Sequence, residues 1–196
     1  MSGEQEKTLS DARLAKDDRY EIPADVQKFI LQLCWAQHDA QWFLKSKRRY
    51  GIEQANELNQ EVIFSMGKIE ARHVLNALDI PEHASKSIPE IFKIMNTFMH
   101  VFIPEIIEFD MVPVSETEGV GIVNTCYVWE EVKRSKGEAE YMCACNFRHR
   151  GWLEAMGSRG KILPVKRLPD GDDSCEFRFI LQPAASARIQ ADTVRH

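Results

Sequence analysis

From Val26 onward apolar residues return at three- and four-residue steps, Val26, Phe29, Ile30, Leu33, Ala36, Ala40, Phe43 and Leu44, the period of an amphipathic helix. Pro23-Ala24-Asp25 suits its start, and Lys45, Lys47, Arg48 and Arg49 fill its last turns, where cations offset the helix dipole. The spacing therefore predicts a first helix to about Arg49. Gly51 breaks the pattern. A second helix is predicted from about Ile52 to Leu78, with Ala55, Leu58, Val62, Met66 and Ile69 on one face and Ile63, Gly67 and Val74 widening it, until Pro81 stops it. A third, Pro89 to Glu108 with a bend at Pro104, carries Ile91, Met95, Phe98, Met99 and Phe102. It is apolar on most sides, which marks the central helix of a lobe.

After Phe109 the texture changes to strand-like runs. Phe109 to Val114 and Val120 to Val132 read as strands around the Glu116-Thr117-Glu118-Gly119 turn, followed by a helical stretch from about Glu138 to Met156. Ile162 to Leu168 and Cys175 to Leu181 read as closing strands joined by Pro169-Asp170-Gly171-Asp172. Helices and strands segregate along the chain, so the expected class is α+β, three long helices followed by a β-β-α-β-β antiparallel sheet lobe. The expected organisation is an N-terminal arm over 1–20, one domain over 21–182 with a helical half 21–108 and a sheet half 109–182, and a tail over 183–196. The arm is too polar to repay its ordering entropy.

With 196 residues, 44% of them hydrophobic, the chain can bury a sizeable core. The net charge of -5, spread without a basic stripe, excludes a nucleic-acid or anionic-membrane partner, because phosphate binding needs clustered Lys and Arg. The most apolar uncharged stretch runs only from Ile94 to Pro104, whereas a spanning helix needs roughly 20 apolar residues. The N-terminus has no hydrophobic core of an export signal, so a cytoplasmic location is expected. Five cysteines, Cys34, Cys126, Cys143, Cys145 and Cys175, are then expected as thiols.

Trp35, His38, Asp39 and Trp42 share one side of the first helix at about 100° per residue, which puts an imidazole and a carboxylate between two indoles. That is either a half-exposed packing flank or a pocket wall whose carboxylate works as acid or base. The second helix adds Glu61, Glu70, Arg72 and His73. Glu70 and His73 have the Glu-x-x-His spacing of di-iron bundles, but no second copy exists in the chain. His73 follows Ile69 on the apolar stripe and calls for a polar partner there, Asp39 or His38. Cys126 is expected within a strand, Cys143-Ala-Cys145 at or across a helix start and Cys175 opening the last strand. These thiols are core fillers, or they converge on a metal site for a single zinc or iron ion, or one of them is a nucleophile. Arg148-His149-Arg150 reads as a solvated basic patch or a holder of an anionic group.

The runs His38-Asp39-Ala40-Gln41-Trp42-Phe43, Tyr50 to Asn59 and Gly67-Lys68-Ile69-Glu70-Ala71-Arg72, with Cys126, Cys143 or Cys145, Pro169-Asp170 and Cys175-Glu176-Phe177, resemble the L-2-amino-thiazoline-4-carboxylic acid hydrolase-like family. The resemblance implies a small-molecule hydrolase opening a cyclic C–N or C–S substrate. In that reading Asp39 or Glu70 activates water, His38 or His73 moves the proton, and Cys126 attacks an amidine-like carbon. Arg72 holds the substrate carboxylate, with Trp35 and Trp42 as walls. A non-catalytic metal- or ligand-binding sensor, and an accessory subunit of a larger enzyme, are the alternatives. A small molecule and a second copy in a homodimer are the expected partners.

Overall fold

The computed structural model describes residues 20–82, 86–138 and 140–182. The expected tail and all but Tyr20 of the expected arm lie outside these residues. The architecture is α+β: α1 Ala24–Tyr50, α2 Ile52–Ala77 and α3 Ile88–Phe102, then β1 Glu108–Pro113, β2 Glu118–Thr125, α4 Tyr127–Arg134, α5 Cys145–Ala155, β3 Gly160–Lys166 and β4 Cys175–Leu181. The four strands form one antiparallel sheet in the order β1-β2-β4-β3.

Three boundaries differ from the sequence expectation. The third helix stops at Phe102 instead of bending through Pro104, because Ile103 is extended (φ -103, ψ 130), as the residue before a proline prefers to be. The long second strand ends at Thr125, and residues 127–134 form α4. Within α4, Trp129 is the buried residue while Glu130, Lys133 and Arg134 lie outside, a one-sided helical pattern that the β-branched residues around it had masked. Cys126 is accordingly the cap of a helix and not a strand residue. The next helix starts at Cys145 and not near Glu138, so the lobe reads β-β-α-α-β-β.

Which helix faces are covered also differs. On α1 the buried residues are Gln32 and Ser46, whereas Val26, Phe29, Ile30 and Leu44 of the expected inner stripe are exposed. Gln32 earns its burial by donating Nε2 to the carbonyls of His100 (3.2 Å) and Val101 (2.9 Å) at the end of α3, groups a helix terminus leaves without intrahelical partners. On α2, Leu58, Val62 and Ile69 are exposed, and the inner face is Ala55, Asn56, Gly67, Glu70, Ala71, Val74 and Leu75.

Small residues decide that choice. A Cβ on Gly67 would lie 2.5 Å from the Arg148 carbonyl oxygen, and one on Gly151 would lie 2.3 Å from that of Phe64. The two glycines thus let the α2 and α5 backbones touch, which bulky Leu58 or Val62 would forbid. α3 opens with Ser87, whose N–H donates to Glu90 at 2.8 Å, and seven of its residues are buried. They meet the inner face of β4, Cys175, Phe177, Phe179 and Leu181, and Phe92 stands edge-on to Phe179 at 5.1 Å. Trp152, Phe98 and Met95 fill the centre.

Candidate functional site

The backbone contact of α2 with α5 delivers the first group of ionisable residues. Glu70, 2% exposed, accepts a hydrogen bond from Trp152 Nε1 at 2.9 Å and pairs with Arg148 Nη2 at 3.1 Å. That pair is charge contact without hydrogen-bond alignment, since Glu70 Oε1 and Arg148 Nε are both buried without a hydrogen-bond partner. Asp39 comes up from α1, and burial raises its pKa while Arg148 and then His38 pull it back. Glu70 is raised by burial in the same way, against Arg148 and Trp152, with the Asp39 charge adding a small upward push. His38 Nδ1 stands 3.9 Å from Asp39 Oδ1 and its ring stacks on Trp35. The expected companions Asp39, Glu70 and His38 are therefore brought together, around an arginine.

The other expected members stand apart. His73 is exposed on α2, so the polar partner it was expected to need is water. Arg72 faces Glu82 at 3.8 Å with its side chain half exposed, and Trp42 is 64% exposed. The basic patch is no solvated face: Arg148 is mostly buried, and His149 sits within 5.2 to 5.9 Å of the Trp152, Phe177 and Phe179 rings. Burial lowers its pKa to about 4. Arg150 alone is exposed, with its guanidinium over Phe64 and Phe147. An open groove of ≈ 320 Å³ beside it is lined by Glu57, Gln60, Glu61, Phe64, Phe147 and Arg150 and includes neither Asp39 nor Glu70.

The second group is built of sulfur. Cys126 caps α4, Cys143 and Cys145 flank the start of α5, and Cys175 opens β4. All four line one cavity of ≈ 20 Å³, together with Tyr141, Trp129 and apolar side chains, room for about one water-sized sphere. The loop that carries Cys143 is fastened to the helical half. Asn56 donates Nδ2 to the Glu140 carbonyl (2.9 Å) and accepts the Met142 N–H (3.2 Å), Phe43 stands edge-on to Tyr141 at 5.6 Å, and Lys47 pairs with Glu140.

One backbone amide faces a sulfur of the cluster: the Leu168 N–H donates to Cys175 Sγ at 3.3 Å. Burial pushes the Cys126 thiol up to about 11 and raises Cys175. Cys145 is raised by its hydrogen bond to Cys143 and by burial. Cys143 is lowered to about 7, chiefly by the hydrogen bond from the Cys145 side chain, with Arg167 helping. A thiol held near 11 is a poor nucleophile at neutral pH, which counts against the expected attacking role of Cys126. Among the described residues no group of three or more His, Cys, Asp and Glu side chains is placed to hold a metal ion as it stands. Cys34 is exposed on α1, away from the cluster.

Arg148, Trp152, Tyr141 and Arg167 are the site residues that spacing did not single out as partners. Arg148 was visible as a candidate anion holder, though for a substrate and not for Glu70. No sequence signal pointed to Trp152. No described helix is long and apolar enough to cross a membrane.

A search of curated proteins finds no match. Among solved structures, a trafficking protein particle complex subunit 3 from Naegleria fowleri, covalently bound to palmitic acid, superposes with a TM-score of 0.56 at 15% identity over 78% of this chain and 96% of that one. At this identity the likeness is one of fold. An H-NOX protein from S. oneidensis gives 0.43 at 13% identity over 92% and 87%, too low a score to carry an argument. A family profile matches residues 13–150, well over half of the chain, and on that match the protein belongs to the family of unknown function DUF6125.

Proposed function

We propose that this protein is a binding module that takes a soft, thiol-seeking ligand in the cavity between α4, the start of α5 and β4. One observation carries the reading: four thiols from three separate stretches of chain line a single cavity, and the Leu168 N–H is directed at one of them, Cys175. The cavity also connects through Tyr141 and Asn56 to the helical half, a route by which occupancy can be felt at a distance.

The test is pulsed alkylation of the native, reduced and chelator-treated chain under argon, with the modified positions mapped by mass. Cys143 is expected to react while the fold persists, well ahead of global unfolding. If no cavity thiol reacts except through unfolding, the cavity is not a binding site.

A second reading, the hydrolase, is favoured by one observation, the two raised carboxylates Asp39 and Glu70 beside Arg148 and His38. It expects ring opening of amino-thiazoline carboxylates that Asp39→Asn and Glu70→Gln each abolish without unfolding the chain. Turnover unchanged in both variants would remove it.

A further inference from the structure

We propose that the ligand is a single divalent thiophilic metal ion, of which zinc is the type, held by Cys126, Cys143, Cys145 and Cys175 in a tetrathiolate site. The inference rests on the binding-module reading and specifies its ligand.

The donor set comes first. Four sulfurs and no lining carboxylate or imidazole select soft ions over magnesium or calcium, which want oxygen. Four is also the coordination number of structural zinc. A backbone donor points the same way: the Leu168 N–H is aimed at the Cys175 sulfur at 3.3 Å. An N–H aimed at sulfur stabilises the thiolate far more than the thiol, and a metal ion is what makes buried thiolates persist.

Charge closes the account. Binding follows M²⁺ + 4 Cys–SH → [M(S-Cys)₄]²⁻ + 4 H⁺, with the protons passing to solvent. The complex then carries two negative charges in a cavity of apolar lining. Arg167 acts electrostatically on Cys143 and Cys175 and Arg148 on Cys145, two guanidinium groups against that charge. In the present arrangement the sulfurs surround the cavity without three of them sharing a centre, so the ion draws them inward by side-chain rotation. That contraction ties Cys126 and Cys175 to the Cys143 loop that Asn56 and Phe43 hold against α1 and α2.

The experiment uses the full chain, purified anaerobically, stripped with a chelator under reductant and titrated with Co²⁺, then with Zn²⁺. Expected are thiolate-to-cobalt charge-transfer bands and intense visible bands of tetrahedral Co²⁺, saturating at one equivalent and bleached by zinc. Four thiols should become protected from a disulfide reagent while Cys34 stays reactive. Cys34→Ser should change nothing, and the double variant Cys143→Ser/Cys145→Ser should weaken binding by about 100-fold or more. If that variant fails to fold, thiol protection in the unmodified chain still decides the matter. Fewer than three thiols protected, no charge-transfer band at one equivalent, or a band indifferent to the double variant would each overturn the metal site. Should the cavity thiols alkylate as predicted while cobalt gives no band, the binding module stands and the metal falls; inert cavity thiols after chelation would sink both.

Discussion

The carboxylate cluster of the helical half and the thiol cluster of the sheet half are both buried constellations of ionisable groups, yet they are finished to different degrees. Around Glu70 opposite charges already meet: Arg148 pairs with Glu70 and its charge acts on Asp39, Trp152 donates to Glu70, and His38 flanks Asp39. No cavity opens beside them in either of the two described pockets. Around the four cysteines a cavity is present, and no carboxylate, imidazole or cationic side chain lines it. A buried charge that is matched within the chain is an element of the fold, whereas thiols gathered around a cavity with no charged lining leave room for a charge from outside. On the reading proposed above, the first cluster is architecture and the second a binding site.

The largest effect that can break this contrast is at Arg148. Arg148→Met strands the Glu70 carboxylate at 2% exposure and is expected to cost about 3–5 kcal/mol in urea denaturation. The double variant Glu70→Gln/Arg148→Met should recover most of the loss, because neither partner then leaves a lone charge. A cost under about 1 kcal/mol for the single variant would mean the pair is not structural, and would return Glu70 and Asp39 to the hydrolase reading.

A second effect is read against pH. His149 is neutral in the fold and its pKa is lowered from 6.5 to about 4, so its share of stability is present above pH 6.5 and is lost as pH falls toward 4. That amounts to about 3 kcal/mol at the acid end. His149→Phe keeps an aromatic ring among Trp152, Phe177 and Phe179 and should flatten this acid limb in melts taken from pH 7 to 4. Glu70 and Asp39 act with the opposite sign. Burial raises both above 4.5 and 3.8, so their share is present below those values and is lost as pH rises through the folded pKa. Glu70→Gln should correspondingly soften the decline on that side.

Gly151→Ala sits third. Its Cβ would meet the Phe64 carbonyl oxygen at 2.3 Å, and backbone cannot turn aside as a side chain can, so about 1–3 kcal/mol should be lost. The α2 and α5 axes would be forced apart, and with them Glu70 from Trp152. The indole fluorescence of the folded variant should report that separation; an unchanged emission and melting point would show that the glycines are not what seats the cluster.

How far these clusters were readable in advance follows from how their residues are brought together. Long helices announce themselves by period, and α1 and α2 start and end within a residue or so of the pattern. Which face each helix buries was not readable, since α1 and α2 carry apolar residues on more than one side; Leu58, Val62 and Ile69 looked like the seam, and Gly67 and Ala71 made it. α4 was hidden because eight residues hold barely two turns, and Tyr127, Val128, Trp129 and Val132 favour strands. Asp39 and Glu70 stood out as charges near apolar stripes, and both feel the Arg148 charge. The Glu70–Arg148 pair depends on a contact between α2 and α5, which are far apart in sequence and leave no local signal. The cysteines were visible as residues, but their convergence needed Cys126 to cap a helix and β4 to pair beside β2.

The smallest effect is the one that separates the two clusters most sharply. Cys143→Ala/Cys145→Ala removes two sulfurs next to a cavity that already exists, so little packing is forfeited, and in the metal-stripped chain the cost should be about 1 kcal/mol or less. Zinc should then raise the melting temperature of the unmodified chain and leave that of the variant where it was, because a ligand stabilises only the fold that binds it. A structural pair behaves in the reverse manner: it is costly to break and indifferent to added ions. If the double alanine variant instead unfolds as readily as Arg148→Met, with or without zinc, the thiols are core after all, and the difference drawn between the two halves of the molecule disappears.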